Sequence, residues 1–179
     1  MSTITEALAE IKTIGKRLKK KASFVNEHLY RQEKFSDPFI KEGGQAGEIK
    51  RERQAMDDLN DRALKLRIAI NRANESNRIT INGVDRSISE WIVWRRDIAP
   101  RVQANLTGMQ NSIRKIRQEA INKGAPVSDK ETENPENVII NINERDLVCE
   151  VEDMVETLGQ LDGMLSMTNA TTSIDNYLF

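Results

Sequence analysis

Apolar positions recur at intervals of three and four along most of this 179-residue chain. That rhythm marks helices that bury one stripe each. In the first stretch Ile4, Leu8, Ile11, Leu18, Ala22, Val25 and Leu29 keep it, with Ile14 and Gly15 straddling the missing position. They predict a helix over residues 3–33, about 45 Å long at 1.5 Å per residue. Thr3 and Glu6 open it with a capping box. Met56, Leu59, Ala63, Leu66, Ile70 and Ala73 predict a second helix over 48–73. Trp91, Ile92, Ile98, Val102, Leu106, Met109, Ile113, Ile116 and Ala120 predict a third over 88–122. Pro100 lies inside it, where it bends the helix or removes a backbone bond. Trp94 falls off that stripe and either fills a wider core or anchors an interface. Val148, Val151, Val155, Leu158, Leu161 and Leu165 predict the last helix, over 144–165, with Glu150, Glu152, Asp153 and Glu156 on its outer face.

The breaks between these segments are chemically marked. Ser36-Asp37-Pro38 stops the first helix, and Gly43, Gly44 and Gly47 keep the chain irregular after it. Asn74-Glu75-Ser76-Asn77, running into Asn82-Gly83, is turn-forming. Ser87 and Glu90 make a second capping box. Between turn and cap, Ile79-Thr80-Ile81 alternates and is β-branched, which predicts a strand over 79–81. Lys123-Gly124-Ala125-Pro126 ends the third helix. Residues 127–137, with Asp129, Glu131, Glu133, Pro135 and Glu136, read as an exposed loop. Val138 to Ile142 read as a strand that pairs with 79–81 in a small ribbon. The tail from Thr168 has no helical period and ends in apolar Tyr177-Leu178-Phe179, which calls for burial. The expected architecture is therefore mainly α: one helical domain over 1–179, an elongated antiparallel long-helix bundle of coiled-coil hairpins with a minor short β ribbon.

Composition sharpens this. Charged residues make up 31% and aromatics 4%, a balance that suits thin helical cores. Residues 1–125 hold 25 Lys and Arg against 16 Asp and Glu, whereas residues 126–179 hold 2 against 12. Such opposed halves suggest that the acidic helix docks on basic helical surface, in its own subunit or the next. Lys16-Arg17-Leu18-Lys19-Lys20-Lys21 concentrates the basic charge. It reads as a solvated face or as a contact for nucleic acid, anionic lipid or an acidic neighbour. No run of 18 apolar residues occurs, so no membrane-spanning helix is expected. The first residues lack the pattern of a signal peptide. The expected location is cytoplasmic or within a virion.

No catalytic constellation stands out. His28 is the only histidine, and a nucleophile–base pair would need both partners beside it. Cys149 neighbours a seam position and is expected to be a small core residue. One Cys and one His cannot supply four zinc ligands, and the carboxylates from Asp129 to Asp153 lack EF-hand order. No GxGxxG or phosphate-binding loop is present. The expectation is a non-enzyme with no cofactor, no metal and no catalytic residues.

Three segments carry a resemblance. Ile68-Ala69-Ile70-Asn71-Arg72-Ala73-Asn74 closes one helix, Ser87 to Asp97 with Arg95-Arg96-Asp97 opens the next, and Leu161-Asp162 precedes Asn169-Ala170-Thr171-Thr172. In order and spacing the chain resembles the septicolysin-like family of small helical proteins over roughly 60 residues. The resemblance implies an α-helical, oligomer-forming protein and carries no mechanism onto any residue.

The function expected from these readings is a non-catalytic structural or assembly protein that forms a helical homo-oligomer, for instance as a component of a large particle such as a phage virion. The alternatives are membrane action of the cytolysin kind, or nucleic-acid contact through the basic face. The expected partners are copies of the chain itself and other proteins of a large assembly, with nucleic acid and membranes disfavoured. Candidate interface residues are Lys16, Lys19, Lys20, Trp94, Glu152, Glu156, Tyr177 and Phe179.

Overall fold

The structure, a computed structural model, describes residues 2–128, 130 and 134–177, without the side chain of Asn176. The chain is 74% helical, with four long helices and a small antiparallel sheet, mainly α with minor β as expected. It divides into two compact units, residues 1–77 with 166–179 and residues 78–165.

The first unit is built on α1 (Ile4–Glu27) and α2 (Gly44–Ser76). The Thr3–Glu6 capping box is formed. Glu10 pairs with Arg62 at 2.8 Å and Lys21 with Glu52 at 2.8 Å, so the two helices run antiparallel. Their shared core is Ile4, Ala7, Ile14, Leu66, Ala69, Ile70 and Ala73, flanked by Ile11, Leu18, Leu59 and Ala63. The α1 seam thus runs 4-7-11-14-18. It does not pass through Leu8, which is exposed along with Leu29. In the register set by the two ion pairs Ala7 falls opposite Leu66 and Ile4 opposite Ala69, so a small side chain faces a large one across the seam. α1 also ends earlier than residue 33. The His28 ring Nδ1 lies 2.8 Å from the Phe24 carbonyl and the ring stacks on Phe24 at 4.2 Å. The side chain so occupies a carbonyl at the helix end.

α2 starts four residues earlier than expected. The Asp37 carboxylate accepts the Gln45 and Phe39 backbone N–H groups, both at 2.8 Å, and so caps the new N-terminus. Those two backbone donors hold its carboxyl below the usual carboxylate range. The C-terminal segment closes the unit. Thr3 and Ser173 form an antiparallel bridge, the Ile174 N–H donates to Ser2 O at 2.9 Å, and the Ser2 N–H reaches the Asp175 carboxylate at 3.0 Å. Ile174 is fully buried in the core.

The second unit begins with β1 (Arg78–Ile81) and β2 (Val84–Ser87), an antiparallel hairpin in register Arg78–Ser87 to Ile81–Val84. The two connecting residues, Asn82 (φ 49°) and Gly83 (φ 78°), both have positive φ, as a type I′ turn demands. The ribbon expected between 79–81 and 138–142 does not form, because β1 finds its partner two residues away at low loop-closure cost. β4 (Val138–Ile139), shorter than expected, instead pairs in parallel with β3 (Val127–Ser128).

Ser87 and Glu90 form their capping box and start α3 (Ile88–Val93). A π-helical turn over Trp94–Ile98 joins it to α4 (Ala99–Lys123). The Ala99 N–H bonds to the Trp94 carbonyl, five residues back. Pro100 is the cause: it has no N–H to give and its ring crowds the carbonyl four residues before it, so the helix widens by one residue at that point. α5 (Glu144–Thr171) extends six residues past the expected end. No Gly or Pro stops it after Leu165, and the Thr171 hydroxyl donates to the Met167 carbonyl at 3.0 Å.

One core of this unit gathers Ile79, Ile81, Ile88, Trp91, Leu161 and Leu165. The Trp91 indole N–H donates to the Ile79 carbonyl at 2.9 Å. The other core gathers Leu106, Ile113, Ile140 and Leu147, with Val127 and Val151 against it. Arg95 pairs with Asp162 at 2.8 Å, and Arg117 with Glu144, so α4 and α5 also run antiparallel.

Candidate functional site

Lys16, Lys19 and Lys20 are exposed on α1, and none of the three makes an ion pair among the described residues. Trp94 is half-buried, edge-on to Trp91 with centroids 5.4 Å apart. It borders an apolar hollow with Val93 and Ile98, rimmed by Arg86, Ser89 and Glu90. Glu152 and Glu156 are exposed on α5, and Glu156 accepts a bond from Gln160 at 2.9 Å. Tyr177 packs on the core of the first unit, and Arg72 donates to its carbonyl at 3.4 Å. Phe179 lies outside the described residues, as do Leu178, Asp129, Glu131 and Glu133.

Cys149 is exposed rather than in the core. It sits two residues past Leu147, which rotates it about 200° from the buried line. His28 caps α1 among Phe24 and Phe39 and faces no nucleophile in those contacts. Among the described residues no group of three His, Cys, Asp or Glu is placed to hold a metal ion.

The informative feature is a pair of heptad lines that sequence reading assigned to the core. On α4 the buried residues are Ala99, Leu106, Ile113 and Ala120, one every seventh position. Val102, Met109 and Ile116, also seven apart, remain 39%, 39% and 41% exposed. On α5 the buried line is Leu147, Met154 and Leu161, not Val148 and Val155, which are 45% and 56% exposed. A single helix neighbour covers one line of each helix. The second line of a 3-4 stripe stays open unless further helices arrive.

The two open lines lie on opposite sides of the α4–α5 pair. Met109 and Ile116 border a groove of about 820 Å³ with Ala104, Gly108, Ile139 and Ile142. Val148 borders a smaller hollow between the helices with Gln110, Arg114, Arg117 and Glu144. The helical wheel agrees: Met109 follows the buried Leu106 by three residues and Val148 follows Leu147 by one, and antiparallel helices mirror the sense of rotation.

The shifted carboxyls of this unit are each held by a neighbouring donor. Arg78 donates to Asp85, the Ser87 backbone N–H to Glu90, and Arg96 to Asp97; each bond holds its carboxyl below the usual range. No protein-family model matches the chain, and no curated protein or solved structure matches it.

Proposed function

We propose that this protein is a non-catalytic assembly component that builds a helical homo-oligomer, located in the cytoplasm or in a virion as part of a large particle. The observation that carries the reading is the open heptad line: Val102, Met109 and Ile116 repeat every seven residues on α4 and stay exposed. Apolar positions at that spacing are what a coiled-coil partner covers, and contiguous exposed apolar surface marks interaction sites. The resemblance to septicolysin-like proteins supports oligomer formation in the same sense. Light scattering at tens of micromolar tests the reading. A mass of several chains is expected, and a monomer overturns it.

One alternative has its own observation. Lys16, Lys19 and Lys20 project from α1 without ion-pair partners among the described residues, as a phosphate-contacting face would. A salt-dependent mobility shift with duplex DNA favours that alternative; no shift at low salt removes it. Membrane action has less support: among the described residues no helix is long and apolar enough to cross a membrane.

A further inference from the structure

We propose that the groove on α4 receives α5 of a second copy, and that copies therefore join head to tail. The inference rests on the assembly reading above and adds the surface, the partner and the symmetry.

The groove has a floor of small side chains, Ala104, Gly108 and Ser112, at four-residue spacing, with Met109, Ile116, Ile139 and Ile142 as apolar walls. A Cβ built at Gly108 meets nothing within 4 Å, so there is room for a second backbone. Arg101 and Lys115 stand exposed one heptad to either side of Gly108, along the same helical line. Asn105 and Asn141 also line it, so the groove is apolar over most of its lining, with a basic side chain to either side of Gly108.

The complementary surface is on α5. Val148 and Val155 are exposed seven residues apart, the same separation as Met109 and Ile116. Glu152 lies between them and Glu156 beside them, all exposed. That edge alternates valine with glutamate, and Arg114 and Arg117 of α4 stand beside Val148 at its start. Seated antiparallel in the groove, with Val155 at Met109 and Val148 at Ile116, the edge would bring Glu152 within about one turn of Lys115. Charges so placed fix register and reject wrong partners more than they add affinity.

The symmetry follows from the placement of the two faces. The groove and the valine edge lie on opposite sides of the α4–α5 pair, so each copy offers one groove and one edge in different directions. A contact between unlike patches is heterologous, and it generates rings or open filaments rather than a closed two-fold dimer.

Complementation tests this. Met109→Glu with Ile116→Glu destroys the groove and leaves the edge. Val148→Lys with Val155→Lys destroys the edge and leaves the groove. Each double variant alone is expected to scatter as a monomer at tens of micromolar, and an equal mixture as a one-to-one dimer, because one intact groove then meets one intact edge. Ile121→Glu, at a position 68% exposed and off both faces, is expected to keep the wild-type mass. Circular dichroism checks that each variant folds. Should the groove variant not fold, Gly108→Trp replaces it, since the open space at that position takes a ring in the isolated chain.

Either double variant keeping the wild-type mass overturns the inference, as does a mixture that stays monomeric. A wild-type protein fixed at two copies overturns the head-to-tail geometry. In those cases the assembly reading stands with another surface. A monomeric wild type overturns both.

Discussion

The two helix hairpins of this protein solve the same burial problem differently. α1 and α2 share one core of Ile4, Ala7, Ile14, Leu66, Ala69, Ile70 and Ala73, and the C-terminal segment adds Ile174 to it. Leu8, Leu64 and Ile68 stay open beside that core. α4 and α5 bury one line each, and Leu106, Ile113 and Leu147 are joined in one core by Ile140. Val102, Met109, Ile116, Val148 and Val155 stay open. Both hairpins have heptad patterns, but the open residues of the second repeat every seven positions, whereas Leu8, Leu64 and Ile68 of the first do not. A heptad in sequence therefore says that a helix wants covering; it does not say how much of each line the chain's own elements will cover.

The largest expected effect separates a buried position from an open one. Leu66→Ala removes a fully buried side chain from the first core and should destabilise the protein by about 2–5 kcal/mol. Met109→Ala, on the open line, should cost under about 1 kcal/mol in the monomer. Urea unfolding of both variants at a concentration below assembly checks this. Equal losses would mean that the two hairpins do not differ as described.

Trp91 sharpens the comparison within the second unit. It is buried and its indole N–H donates to the Ile79 carbonyl, so it ties hairpin to helix. Trp91→Phe keeps most of the apolar volume but removes this bond, leaving the Ile79 carbonyl with its ladder partner Arg86 alone. An expected loss of about 0.5–1.5 kcal/mol follows, read as a lower urea midpoint at unchanged slope. A loss as small as that of an exposed substitution would show that the indole bond adds nothing net to the hairpin.

The long elements were legible because their signals were strong and redundant. Both capping boxes, Thr3–Glu6 and Ser87–Glu90, stand where the side-chain chemistry put them. Three things were harder to read. The α1 line was drawn through Leu8 instead of Ala7, because hydrophobicity favours leucine whereas close packing favours alanine. Asn82-Gly83 signalled a two-residue hairpin, but the polar β2 residues Asp85 and Arg86 hid the second strand. The exposed heptad lines were assigned to the core, since a periodic pattern does not state which partner meets it. Of the candidate interface residues, Lys16, Lys19, Lys20, Glu152 and Glu156 are exposed. The groove beside Met109 was not visible at all, because Ile139 and Ile142 reach it from a distant segment.

A smaller effect is expected at the start of α3. Ser87 accepts the Glu90 N–H at 3.2 Å while its own N–H donates to the Glu90 carboxylate at 2.7 Å. Ser87→Ala should cost about 1 kcal/mol, and Ser87→Asp should restore most of it. The equivalent change at Thr3 removes a cap that the bridge to Ser173 also supports, so Thr3→Ala should cost less. If thermal melts rank the two in the opposite order, the terminal bridge does not reinforce the first hairpin.

The smallest effect concerns the ion pair across the first hairpin. Arg62 donates to Glu10 with Nε at 2.8 Å and a second nitrogen at 3.1 Å, and this bond holds the Glu10 carboxyl below its usual range. The folded state therefore binds the Glu10 proton less tightly than the unfolded chain does. The contribution is fully present above the unfolded value, about pH 4.3 for an ordinary glutamate. It is lost as pH falls through the lower folded value. Both side chains are about 40% exposed, so solvent screens the pair and a coupling of about 0.2–1 kcal/mol is expected. A double-mutant cycle with Glu10→Gln and Arg62→Gln at pH 7 reads it, and the same cycle near pH 3 should give less. The apolar core beside the pair carries the closure by packing, so the loss should leave the α1–α2 hairpin folded. A coupling unchanged between pH 7 and pH 3 would show that the hydrogen-bond geometry, not the charge on Glu10, holds the two helices in register.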